Sequence, residues 1–181
     1  MGNVSNHYCK KLDYINFAKA KTVTITAPNV GNKFSLHFWF FAHSYIENVF
    51  KGLSVEWKNQ LKIEIKLDST NRYNYICYVG DSNSDPIEIK MDTWNFIHCA
   101  GDYEEKQIYF TTEEEDFNVS LSGTKSTTTG NTQLIIQDLT EDDIKGWGIL
   151  FYKYIRLWDY AFDSYSFLSR IKCISCSYCY S

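Results

Sequence analysis

The heptapeptide LKIEIKL, residues 61–67, alternates apolar and charged side chains without a fault. Successive strand residues point to opposite faces, so Leu61, Ile63, Ile65 and Leu67 share one face while Lys62, Glu64 and Lys66 share the other. The segment reads as a strand with its apolar face on a core and its charged face in water. The same period of two recurs in TVTITA (22–27), where Val23, Ile25 and Ala27 alternate with threonine until Pro28, Asn29 and Gly31 stop the run.

FSLHFWFF (34–41) leaves neither face clearly for solvent, as a central strand should. A polar turn over 68–72 joins LKIEIKL to YNYICYV (73–79), which makes a hairpin. GDSNSDP is a loop before the short strand IEIKM. TWNFIHCAGDYEEKQIYF reads as a strand through Ala100, a turn around Gly101–Glu105 and a second strand through Phe110. The acidic TTEEEDFN is an exposed hairpin edge, and SLSGTKSTTTGNT a loop. QLIIQDL is a further strand, and GWGILFYKYIRLWD the longest late one. No segment sustains a period of 3.6 over the ~11 residues of an average helix. The exception is FDSYSFLSRI, where Asp163 or Ser164 can cap a short helical turn. About ten short strands with polar turns between them fit an all-β sandwich of two antiparallel sheets.

The chain's 181 residues suffice for one domain with a substantial core. Its net charge of −4 offers no basic surface for nucleic acid. Its longest apolar stretch, Phe34 to Phe41, falls far short of the ~20 residues of a spanning helix. Residues 1–20 lack the apolar region of a secretory signal, which fits either a cytosolic protein or a chain whose leader has been removed. Six cysteines and two N-x-S sequons, at Asn3 and Asn118, favour the second, extracellular or cell-surface, reading.

Three stretches taken in order resemble the concanavalin A-like lectin/glucanase superfamily, in particular its laminin G-like and pentraxin-like domains. FSLHFWFF is similar to the early strand that ends in an aromatic residue and Trp. MDTWNFIHCAGDYEEKQIYF (91–110) is similar to the central hairpin, and GWGILFYKYIRLWDYAFDSYSFLSRI (146–171) to the closing strand with its Arg-Leu-Trp and helical turn. The combination resembles versions found in cysteine-rich surface proteins of ciliates. The resemblance implies a jelly-roll sandwich over residues 1–172, a cysteine-rich tail over 173–181, first and last strands side by side, and a role in adhesion or in binding glycan or protein.

The superfamily includes glucan hydrolases with E-x-D-x-x-E on one strand, where alternate acids act as nucleophile and general acid. Glu114 and Asp116 lie two apart, but the third acid is missing, so no catalytic residue is assigned and the chain is read as a non-enzyme. His98 and Cys99 are strand neighbours and point to opposite faces, which argues against a nucleophilic pair. For sugar stacking the candidates are His37 and Trp39 on one strand, and Tyr152, Tyr154 and Trp158 with Arg156 on another; such stripes are more often packing.

Calcium is a candidate cofactor, because several domains of the family bind it. The candidate ligands are Asp81 and Asp85 in GDSNSDP, and Asp138, Glu141, Asp142 and Asp143 in QDLTEDD. Cys173, Cys176 and Cys179 have the spacing of half a zinc site, and with no second C-x-x-C the expectation is disulfides or the start of a cysteine-rich module. Cys77 and Cys99 either pair across strands or stay as buried thiols. The family fold would bring Cys9 within reach of Cys173 or Cys176. The alternative to a recognition module is a structural spacer within a larger cysteine-rich surface protein.

Overall fold

A computed structural model describes residues 9–16, 22–42, 52–125, 128–138 and 150–166. In chain order its strands are β1 (Cys9–Asn16), β2 (Thr22–Pro28), β3 (Lys33–Ala42), β4 (Gly52–Trp57), β5 (Leu61–Leu67), β6 (Tyr73–Val79) and β7 (Ser82–Asn83). Then come β8 (Ile87–Glu88), β9 (Trp94–Asp102), β10 (Gln107–Thr111), β11 (Asp116–Ser120), β12 (Asn131–Asp138) and β13 (Leu150–Trp158). They form two antiparallel sheets. One has the order β1-β13-β3-β9-β10-β11, the other β2-β12-β4-β5-β6-β7, with β8 also on β6. The sandwich is as expected. Cys9 pairs with Trp158 and Lys11 with Arg156, which sets the first strand beside the last, as the resemblance implies.

The core lies between the sheets. Phe34, Leu36, Phe38 and Phe40 of β3 meet Leu53, Val55 and Trp57 of β4 and Ile63 and Ile65 of β5, all fully buried. Trp57 also donates its Nε1–H to the carbonyl of Pro28 (2.9 Å), which ties the end of β2 to the core. The alternation of LKIEIKL holds through Ile65, whereas Leu67, expected inward, is exposed because β5 there runs out beyond the core. At the turn that follows, Asp68 Oδ1 accepts from the hydroxyl of Thr70 (2.7 Å) and from the N–H groups of Arg72 (3.0 Å) and Thr70 (2.7 Å). These bonds stabilise the ionised carboxylate and hold its pKa down to about 2.

Cys77 of β6 and Cys99 of β9 form a disulfide with a Cα–Cα distance of 5.8 Å. The pair was expected to join two strands or remain reduced, and it joins the two sheets through the middle of the core. The turn placed at Gly101–Glu105 begins later, because β9 runs on to Asp102 and its carboxylate accepts from the N–H groups of Glu104 and Glu105 at 2.9 Å each. GDSNSDP, expected as a loop, contains β7, and IEIKM shortens to the two residues of β8. Of the helical turn expected over 162–171, only Tyr165 and Ser166 fall among the described residues in helical geometry.

Candidate functional site

His37, Trp39 and Trp158, three of the expected sugar-stacking residues, lie on the outer face of the six-stranded sheet, and the chain itself covers them. They are 6%, 8% and 1% exposed. Trp39, Phe96, Trp158 and Phe162 form a second apolar cluster there, with Trp94, Tyr160 and Tyr165 packed against it. The cover is residues 159–166, which leave β13 and cross the sheet. Ser35 fixes the crossing, donating its hydroxyl to the carbonyl of Tyr160 (2.5 Å) and accepting from the N–H of Phe162 (2.9 Å). Beyond, the N–H of Tyr165 donates to Asp116 Oδ1 (2.9 Å).

A row of basic side chains runs across the same face. Arg156 is opposite His37, and His37 opposite His98. Trp158 donates its Nε1–H to His37 Nε2 (2.9 Å). His98 is fully buried and neither ring nitrogen has a partner. Burial alone lowers its pKa to about 3, so the ring is neutral. Tyr152 is placed by backbone register, and Tyr154 lies two residues on in β13. Lys153 pairs with Trp39 and Arg156 with His37, so β13 carries one extra residue between them. That bulge interrupts a count by twos along the strand, and Tyr152 comes opposite Phe40 while Trp158 comes opposite Ser35.

Asp81 and Asp85 are exposed and Asp138 is half-buried at the end of β12, opposite Leu53. Among the described residues no group of three or more His, Cys, Asp or Glu side chains is arranged to hold a metal ion. Glu141, Asp142, Asp143, Asn3, Cys173, Cys176 and Cys179 lie outside the described residues. Asn118 is exposed on the edge strand β11, opposite Tyr109.

Among the described residues an open site lies elsewhere. A cleft of about 730 Å³ lies where the β8 edge of one sheet faces the β10–β11 hairpin of the other. Its floor is apolar: Phe96, Phe110 and Ile89 are buried, while Ile87, Trp94 and Phe117 are half-buried. Phe117 stacks on Phe110 with ring centroids 5.3 Å apart, and Trp94 packs on Phe41 at 5.5 Å. Asp85, Glu88, Glu113, Glu114 and Glu115 line the rim with Lys90. Asn95 shapes one wall, accepting from the N–H of Lys90 (2.9 Å) and donating to its carbonyl (2.7 Å). Of the cleft, the sequence reading had singled out Asp85 as a ligand and Glu114 within its acidic hairpin. Much of the rest of the lining comes from a Trp-led stretch (94–96), which pairs with β3, and from EEEDF, whose end pairs with β10, two stretches that only the sheet order brings to one cleft.

No protein-family model matches the chain, and no curated protein matches it either. Solved structures do match. A native heptameric SAP-like pentraxin from Limulus polyphemus is 16% identical with a TM-score of 0.54, over 90% of this chain and 80% of that one. The carbohydrate recognition domain of Emp47p is 8% identical with a TM-score of 0.54, over 87% and 89%. The receptor binding domain of botulinum neurotoxin C/D mosaic serotype is 10% identical with a TM-score of 0.53; the match covers 96% of this chain and 46%, about half, of that one. The fold is therefore the concanavalin A-like lectin sandwich. The resemblance to ciliate surface proteins finds no support among these structures.

Proposed function

We propose that this protein is a non-catalytic recognition module of an extracellular or cell-surface protein, and that it binds glycan or protein at the edge cleft. One observation carries the choice of site: the outer aromatic face is sealed by residues 159–166, while the cleft is open and has an apolar floor and a polar rim. Concave sites with this combination are the usual places for ligands. The carbohydrate recognition domain, the pentraxin and the toxin binding domain that share the fold support binding as the role. The inter-sheet disulfide supports an oxidising compartment, and the exposed sequon at Asn118 agrees with one.

An array of glycans, probed with and without calcium and beside an array of peptides, tests the reading. Signal on either supports it. Silence on both favours the second reading, a spacer within a larger surface protein, which the sealed outer face also suits. Release of reducing ends from β-glucans would overturn the non-catalytic assignment.

A further inference from the structure

We propose that the edge cleft receives an extended, basic peptide segment of a partner protein; the inference rests on the recognition reading above and names its ligand. β9 and β10 are neighbours in the sheet, yet they pair only from Gln107↔Asp102 to Tyr109↔Ala100. At the point where they part, Tyr75 of the opposite sheet donates its hydroxyl to the carbonyl of Thr111 (3.0 Å). The cleft lies beyond that point, with Trp94, Asn95 and Phe96 of β9 on one side and Phe110 and Phe117 on the other. The facing wall is equally short of strand: β8 meets β6 over two residue pairs, Asn74↔Glu88 and Tyr75↔Ile87. Sheet edges of this kind accept an added strand through main-chain hydrogen bonds.

The side chains select what that strand carries. A strand presents its residues alternately to opposite sides. Apolar residues at every second position would enter the floor between Trp94, Ile87 and Phe117, and the intervening ones would meet the rim. Five carboxylates against the single ammonium of Lys90 make that rim strongly negative. Lys90 stands 3.9 Å from Glu114, and Arg72 3.9 Å from Glu88, while Asp85, Glu113 and Glu115 have no ion-pair partner among the described residues. Such a rim draws lysine and arginine and repels sulfated, phosphorylated or acidic sugars. Three of the five acids, Glu113, Glu114 and Glu115, follow one another in the turn before β11, and Asp85 and Glu88 flank β8 on the facing wall.

Fluorescence anisotropy of the full chain with a labelled alternating lysine-valine decapeptide tests the proposal. Saturable binding is expected, weakening about tenfold or more between about 50 mM and about 300 mM salt, with no binding of the matching glutamate-valine peptide. The Glu113→Gln, Glu114→Gln, Glu115→Gln variant should lose about tenfold, or ~1.4 kcal/mol, and Phe117→Ala should also weaken binding. The Glu104→Gln, Glu105→Gln variant, changed at the exposed turn between β9 and β10, should bind as the wild type does. An equal loss in both charge variants would reduce the effect to net charge and overturn the proposal. No peptide binding together with a positive glycan array would overturn this inference and leave the recognition reading standing. Silence on both would overturn both.

Discussion

Trp158 and His37 are joined by a hydrogen bond from indole Nε1–H to imidazole Nε2 at 2.9 Å, and the two rings lie 13° from parallel. The bond uses His37 Nε2 as an acceptor and so ties the closing strand to β3. Replacing Trp158 by Phe removes the donor and leaves a small void at a site 1% exposed. A loss of about 1–3 kcal/mol is expected from a buried acceptor deprived of its donor, measurable as a lower urea midpoint.

His98, opposite His37 in the neighbouring strand, sets a pH effect. Its folded pKa of about 3 lies below the ordinary 6.5, so the folded chain holds fewer protons than the unfolded one between those values. Its contribution is complete above pH ~6.5 and falls as pH drops, by about 2 kcal/mol at pH ~5. The Arg156 guanidinium in the same row opposes any added positive charge. The His98→Leu variant removes two unpartnered nitrogens and should be at least as stable at pH ~7. Its denaturation midpoint should change much less than the wild type's between pH ~7 and ~5, whereas parallel curves would show that another group governs the slope.

The Cys77–Cys99 disulfide closes a loop of 22 residues and links the sheets at their centre. Loop-closure entropy gives about 3 kcal/mol for such a link. The Cys77→Ala, Cys99→Ala variant should unfold at lower urea by that amount, and intact-protein mass spectrometry after alkylation should find both thiols blocked in the wild type.

Gly101 is a packing requirement. A Cβ there would stand 2.6 Å from the Phe34 ring and 3.0 Å from Val79 Cγ1, both core groups held on opposite sheets. Gly101→Ala should cost about 1–3 kcal/mol by overpacking and lower the thermal midpoint. An unchanged midpoint would show that the two sheets can move apart at no cost.

The sequence spoke most plainly where one strand face is apolar and the other polar. LKIEIKL, YNYICYV and QLIIQDL were legible for that reason, and FSLHFWFF as a central strand because it is apolar on both faces. CKKLDYIN (β1) and GLSVEW (β4) were not read as strands, since charges or a leading glycine blur their period and pairing with β13, β5 and β12 holds them. The aromatic stripe of His37, Trp39 and Trp158 could be located, but its cover could not. Ser35 and Asp116, which hold residues 159–166 down, are more than forty residues away in sequence. The bulge in β13 follows from its register against β3, a relation that a count along one strand does not contain. The cleft arises where β9 and β10 part, so its walls come together only through sheet order.

The most direct test of the account is a paired array of glycans and basic peptides, probed with the wild type and with the Trp94→Ala, Phe117→Ala variant after circular dichroism has shown both folded. Spots lit by the wild type and lost from the variant are predicted, because both residues belong to the cleft floor. Identical spot patterns from the two proteins, or no spots from the wild type, would contradict a recognition site at the edge cleft.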